Sequence, residues 1–198
     1  MSNCDYTANT GYNFFSKCYT QAGHINTVGA YPQNKIGKAL TCPQNIDKWT
    51  EFFIPEVVDI PVQKPDIEAL VEVHSCIEII SQRVVKTPTV TGYTPPNGTP
   101  ILGQNIPNGE CTNLTGRKLV IEGLLKQKVI YTALTDEQPL HSANHTVPFS
   151  AFIIIEGDTP LSQKFNITPY IEDIFAYNLS QRNIFKNTTI FIKASRIC

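Results

Sequence analysis

Six cysteines are the residues of this 198-residue chain best suited to chemistry: Cys4, Cys18, Cys42, Cys76, Cys111 and Cys198. No two lie close enough to form the paired knuckle of a structural zinc site. Cys4, Cys18 and Cys42 fall in an N-terminal stretch without clear periodicity, Cys111 in a Pro/Gly-rich loop, and Cys198 at the last position. Only Cys76 lies in a strand-like segment, on the polar parity shared by Glu72, His74 and Glu78. Buried structural cysteines normally occupy apolar faces. Thiols on arms, loops and termini can instead reach a neighbouring subunit. The chemistry expected of them is intersubunit disulfide formation in an oxidising setting. Intrachain bridges and reduced thiols are the alternatives that spacing leaves open.

The other reactive groups are sparse. His141 and His145 share strand parity but would stand about 13 Å apart on an extended strand, too far for one metal ion. Glu172 and Asp173 are adjacent, so on a strand they point to opposite faces and cannot act as an acid/base pair. Asp173, on the parity of Ile171 and Phe175, reads as a partly buried structural carboxylate that accepts backbone N–H groups or pairs with Arg182. A thiol–imidazole pair of Cys76 and His74 lacks a third, orienting group. Nucleophile-elbow, phosphate-loop, dinucleotide and zinc-protease motifs are all missing. The expectation is a non-enzymatic protein with no catalytic residue, no metal and no cofactor. Sequons at Asn97, Asn113, Asn144, Asn166, Asn178 and Asn187 reflect an Asn/Thr-rich composition rather than glycosylation.

Composition narrows the partners. Charged residues make up 17% of the chain and the net charge is -1, with no basic stripe of the kind a nucleic acid needs. No apolar run approaches the roughly 20 residues that span a bilayer. The opening residues Met1-Ser2-Asn3-Cys4-Asp5-Tyr6 have neither a basic nor an apolar leader region, so synthesis in a cytoplasm is expected. A surface of uncharged polar groups repels its own copies weakly, which suits self-association.

The elements that must position these groups are strands. Residues 1–48 read as an irregular arm with scattered aromatics and glycines. Its many aromatics predict that it orders against its own domain or against the next subunit. A β domain follows over 49–198. It begins with an edge strand through Phe52–Pro61, whose prolines suit a sheet edge. Pro65–Leu70 reads as a single helical turn. Val71, Val73, Ile77 and Ile79 then alternate with Glu72, His74, Cys76 and Glu78, the period of a half-buried strand. A long loop is expected over 86–116. Further strands are predicted through Leu119–Tyr131 (with a bend or bulge at Gly123), Pro139–Ile155, Phe165–Tyr177 and Asn183–Ile197. The fold class is all-β: an antiparallel sandwich or jelly-roll-like domain with an extended N-terminal arm.

Gly116-Arg117-Lys118-Leu119-Val120-Ile121-Glu122-Gly123-Leu124-Leu125 and its continuation to Tyr131 resemble the SPOCS domain of spore-forming Firmicutes. Gln138–His145, Val147–Ile153, Tyr170–Ile174 and Arg182–Asn187 extend the resemblance, as do Ile54-Pro55-Glu56 and Lys64–Glu68 upstream. It covers about residues 50–197. The resemblance implies a spore-envelope protein made in the mother cell and placed at the spore surface, in coat, exosporium or appendage. Some members of the family are coat-morphogenesis adaptors with extra domains, including peptidoglycan-binding ones. The Cys-bearing arm here is outside the family pattern.

The expected function is therefore a self-assembling structural subunit, in a filament or a lattice. Its partners would be copies of itself, with other spore-envelope proteins beside them. The arm residues Asn13, Phe14, Phe15 and Tyr19 would dock on a neighbour by adding a strand or filling a groove. Disulfides would lock the contact. A binding module that recruits another coat protein or a glycan through the 86–116 loop is the alternative.

Overall fold

Strict alternation over Thr115–Ala133 makes this segment a strand with one face for the core. In the computed structural model Leu119, Ile121, Leu125, Val129 and Tyr131 are all at 0% exposure. The structure describes residues 8–9, 25–32, 34–36, 48–89, 92–93, 96, 98, 101–102 and 114–197. Ten strands are described: β1 (Ala8–Asn9), β2 (Asn26–Val28), β3 (Lys48–Asp59), β4 (Ile67–Thr89), β5 (Gly92–Tyr93), β6 (Ile101–Leu102), β7 (Thr115–Ala133), β8 (Leu140–Ile154), β9 (Phe165–Asn178) and β10 (Asn183–Arg196). A five-stranded sheet runs β1-β2-β4-β7-β8, and a three-stranded sheet runs β3-β10-β9. Their apolar faces pack into one core, so the chain is an all-β sandwich. The expected fold class holds, with one addition: β2 pairs with β4 in parallel.

Residues 25–32 and 34–36, within the expected arm, pack against the β domain. Val28, Ala30 and Ile36 are buried, and the Tyr31 N–H donates to the Ile171 carbonyl at 2.7 Å. The segment expected as a loop from 86 begins with the last residues of β4 and ends in the first of β7. Between them β5 and β6 pair as a small antiparallel ladder. Pro65–Leu70 is not a helical turn: β4 starts at Ile67, whose N–H donates to the Gln181 carbonyl. A distant partner for that N–H wins over a local turn.

β4 has 23 residues against 19 in β7, and the surplus is absorbed at four register shifts. Each inserts one residue, bends the strand and reverses its parity. Val71, expected inside, is the inserted residue between Leu70 and Glu72. Val73, Ser75 and Ile77 point inward before the shift at Ile79/Ser81, whereas Val84 does so after it. The irregularity expected at Gly123 thus sits in β4, directly opposite it. Gly123 has another reason to lack a side chain. A Cβ there would lie 2.5 Å from the Phe149 ring and 2.8 Å from the Glu78 carbonyl oxygen. The Phe149 ring lies over this gap and meets Phe52 of the facing sheet at 5.5 Å.

A polar group interrupts the core. On β10 Lys186 faces inward beside Glu56 of β3, with Nζ 3.2 Å from Oε1; the side chains are 1% and 11% exposed. Across the sandwich Gln127 and His145 are register partners, and Gln127 Nε2 donates to Thr188 Oγ1 at 3.5 Å. Burial pushes the Lys186 ammonium below the usual lysine range, and Glu56 opposes that shift. Burial, then the Lys186 charge, lowers the pKa of His145, while Glu56 and Asp59 act the other way.

Arg182 closes one end. Its guanidinium donates at 2.8 Å to Asp66 Oδ1 and to the carbonyls of Lys64, Ile60 and Pro61, fastening the β3–β4 connection to the β9–β10 turn.

Three outcomes are expected. Gly123→Val should destabilise the domain by about 1–3 kcal/mol through overpacking against Phe149, read by denaturant melts. Glu56→Leu alone should cost about 3 kcal/mol because it strands a buried ammonium, and Lys186→Met on that background should recover most of the loss. The third concerns pH. A histidine whose folded pKa is depressed leaves the unfolded chain binding more protons, so stability falls as pH drops below the ordinary value of about 6.5. His145→Gln should flatten the stability profile between about pH 7 and pH 5.

Candidate assembly surfaces

The period of two that fills the core also builds two outer faces. On the three-stranded sheet the outward residues are unusually aromatic. Trp49 stacks on Phe191 at 5.5 Å, Phe191 meets Tyr170 at 6.2 Å, and Tyr170 takes the edge of Tyr31 at 5.2 Å. A second group joins Phe175, Tyr177 and Phe185, with centroids 5.3 to 6.2 Å apart. Along β3, Trp49, Phe53 and Val57 are 53%, 67% and 58% exposed. Phe191 beneath them is 3% exposed, so the open part of this face is the apolar row of Trp49, Phe53 and Val57, and such a row marks a contact surface more often than a bare solvent face.

Carboxylates border these rings. Glu51 of β3 and Glu172 of β9 approach each other over the central strand; burial and then the Glu51 charge raise the Glu172 pKa. Asp173 also lies outside. The register slips between Thr189 and Ile190, so Ile171 is buried while Asp173 is exposed. The expectation of a partly buried Asp173 is thereby corrected, and Arg182 pairs with Asp66 instead.

The outer face of the five-stranded sheet carries Cys76, a free, half-buried thiol opposite Lys126 of β7. His74 Nε2 lies 3.0 Å from Glu72 Oε2 two residues earlier on the same strand. Cys76 follows His74 on the same face of β4, at the strand repeat of about 7 Å. Lys126 pairs with Glu78, and Arg83 Nη1 is 2.9 Å from Glu122 Oε1. A hydrogen bond from Ser81 at 2.6 Å, then Arg83, lowers the Glu122 pKa. Lys118 Nζ sits 4.1 Å from the centroid of the exposed Phe152 ring.

The sheet edges are poor templates for a further strand. β3, β8 and β9 are the long edge strands, and each holds an interior proline: Pro55, Pro148 and Pro169. A proline has no N–H for an incoming strand to meet. The β9 edge is also engaged by Tyr31.

Cys76 is thus placed on an outer face. Cys4, Cys18, Cys42, Cys111 and Cys198 lie outside the described residues, as do Asn13, Phe14, Phe15 and Tyr19. His141 and His145 share the inner face of β8; His141 stacks against Tyr131 at 6.0 Å, and His145 faces the Lys186 group. Among the described residues no three His, Cys, Asp or Glu side chains converge as a metal site would require. No described helix is long and apolar enough to cross a membrane. Sequence reading missed the aromatic face and the inward Lys186–Glu56 pair. Alternation through Asn183–Ile192 puts Lys186 on the parity of Ile184, Ile190 and Ile192, and that was the available signal.

The sequence model of the SipL, SPOCS domain matches residues 101–178, which run from β6 through β9. The motifs from Gly116 to Ile174 lie within this span; those at 54–56, 64–68 and 182–187 lie outside it. No curated protein and no solved structure matches the chain. Residues 101–178 are thus similar to the SPOCS domain, and that similarity points to a sporulation-related protein.

Proposed function

We propose that this protein is a self-assembling structural subunit of the spore surface, a filament, appendage or coat lattice cross-linked by disulfides between subunits. The exposed aromatic face of the three-stranded sheet is the observation that carries this reading. Rings held half-exposed on a rigid sheet gain free energy by leaving water, and the sheet loses little entropy when they do. Cys76 on the opposite outer face supplies a thiol that a neighbouring copy can reach. Prolines on the long edges disfavour growth by strand addition, so contact through faces and grooves is the supported mode. The partners under this reading are copies of the chain, with other spore-envelope proteins at the boundary of the assembly. The protein has no catalytic role in it.

Electron microscopy of the purified protein should reveal regular polymers. Non-reducing electrophoresis should give ladders that collapse to one band on reduction. Deleting residues 1–20 should abolish polymers while the circular dichroism of the β domain persists. A protein that remains monomeric and instead captures one defined coat protein or glycan would establish the alternative, a coat-morphogenesis binding module.

A further inference from the structure

The two outer faces differ in charge as well as in shape. On the three-stranded sheet the outward acids Glu51, Asp59, Glu172 and Asp173 are accompanied by a single outward lysine of the sheet, Lys193, with Lys35 over the Tyr31 ring at its border. On the five-stranded sheet Glu78 and Glu122 are paired with Lys126 and Arg83, and Glu72 lies against the His74 ring. Lys118 and Lys128 have no ion-pair partner among the described residues, and β8 brings no charge to that face. Around these lysines lie Val120, Leu124, Ile130 and Phe152. One face is therefore aromatic with surplus negative charge, and the other is aliphatic with surplus positive charge.

We propose that successive copies stack face to face, the aromatic, acidic face of one three-stranded sheet against the lysine-bearing face of the next copy's five-stranded sheet. This rests on the self-assembly reading and names the contact within it. Like faces are the poorer match. Two acidic faces would set Glu172 and Asp173 against their own counterparts, and two lysine faces would do the same with Lys118 and Lys128. Unlike faces satisfy both sets. Such a contact uses different surfaces on the two partners, so it leaves one free face at each end and propagates as an open stack. The area is sufficient. Fourteen residues at about 3.3 Å and three strands at about 4.8 Å give a footprint of about 650 Å² per partner, or about 1,300 Å² in total, within the range of specific interfaces.

The test uses two charge-reversed full-length proteins, Lys118→Glu/Lys128→Glu and Glu172→Lys/Asp173→Lys. All four substitutions lie on outer faces, and thermal melts establish that each variant is folded. Each alone should raise the concentration needed for polymer formation at least tenfold, since its two faces now carry the same sign. An equimolar mixture should polymerise again, because the two reversed faces are opposite in sign to each other, as are the two untouched faces, so copies of the two variants can alternate along the stack. Folded variants that polymerise singly as the unaltered protein does, or a mixture that stays dispersed, would overturn face-to-face stacking. An unaltered protein that forms no polymer would overturn self-assembly itself.

Discussion

The pleat of the two central strands is the constraint on which the molecule depends. β7 and β10 each sit between two neighbours, and each sends every second side chain into a shared core. Leu119, Ile121, Leu125 and Val129 meet Ile184, Ile190 and Ile192 there, sealed from water. A slip of one residue in either strand would exchange core and surface along its whole length. Because the inner positions are held this firmly, the outer positions are held too. The aromatic row and the lysine-bearing face are fixed surfaces for the same reason that the core is dry.

Irregularities in the ladders do the finer placing. Four inserted residues let the long β4 follow β7 while its inward parity changes. One of them lies opposite Gly123, where the missing side chain admits Phe149 and lets it reach Phe52 of the other sheet. The slip in β9 turns Asp173 outward and leaves Ile171 in the core. Local departures from pairing thus decide which charges reach the surface, and with them the electrostatic character of each face.

The Lys186–Glu56 pair is the least expected part of the interior. Two charges held in an apolar sandwich contribute little net stability, because desolvation offsets most of their attraction. An inward charge in an edge strand does have another consequence. Glu56 neighbours Pro55 in β3, and both make that edge a poor template for a further strand. A subunit that associates through its faces gains from edges that do not pair at random.

By itself the sequence determined the all-β class, the approximate extent of the long strands and the SPOCS resemblance over β7 to β9. It could do so because alternation has a range of a few residues and survives in a linear reading. It also placed Cys76 on the outward parity of β4. Only the tertiary structure decided that Asn26–Val28 joins this chain's own sheet, that Arg182 holds Asp66 rather than Asp173, and that aromatics from β3, β9 and β10 form one face. The contacts of Tyr31 with Ile171, Asp66 with Arg182 and Trp49 with Phe191 each join residues more than 100 positions apart in the chain. Their formation depends on strand order and on single-residue register shifts, and neither leaves a local mark in the chain.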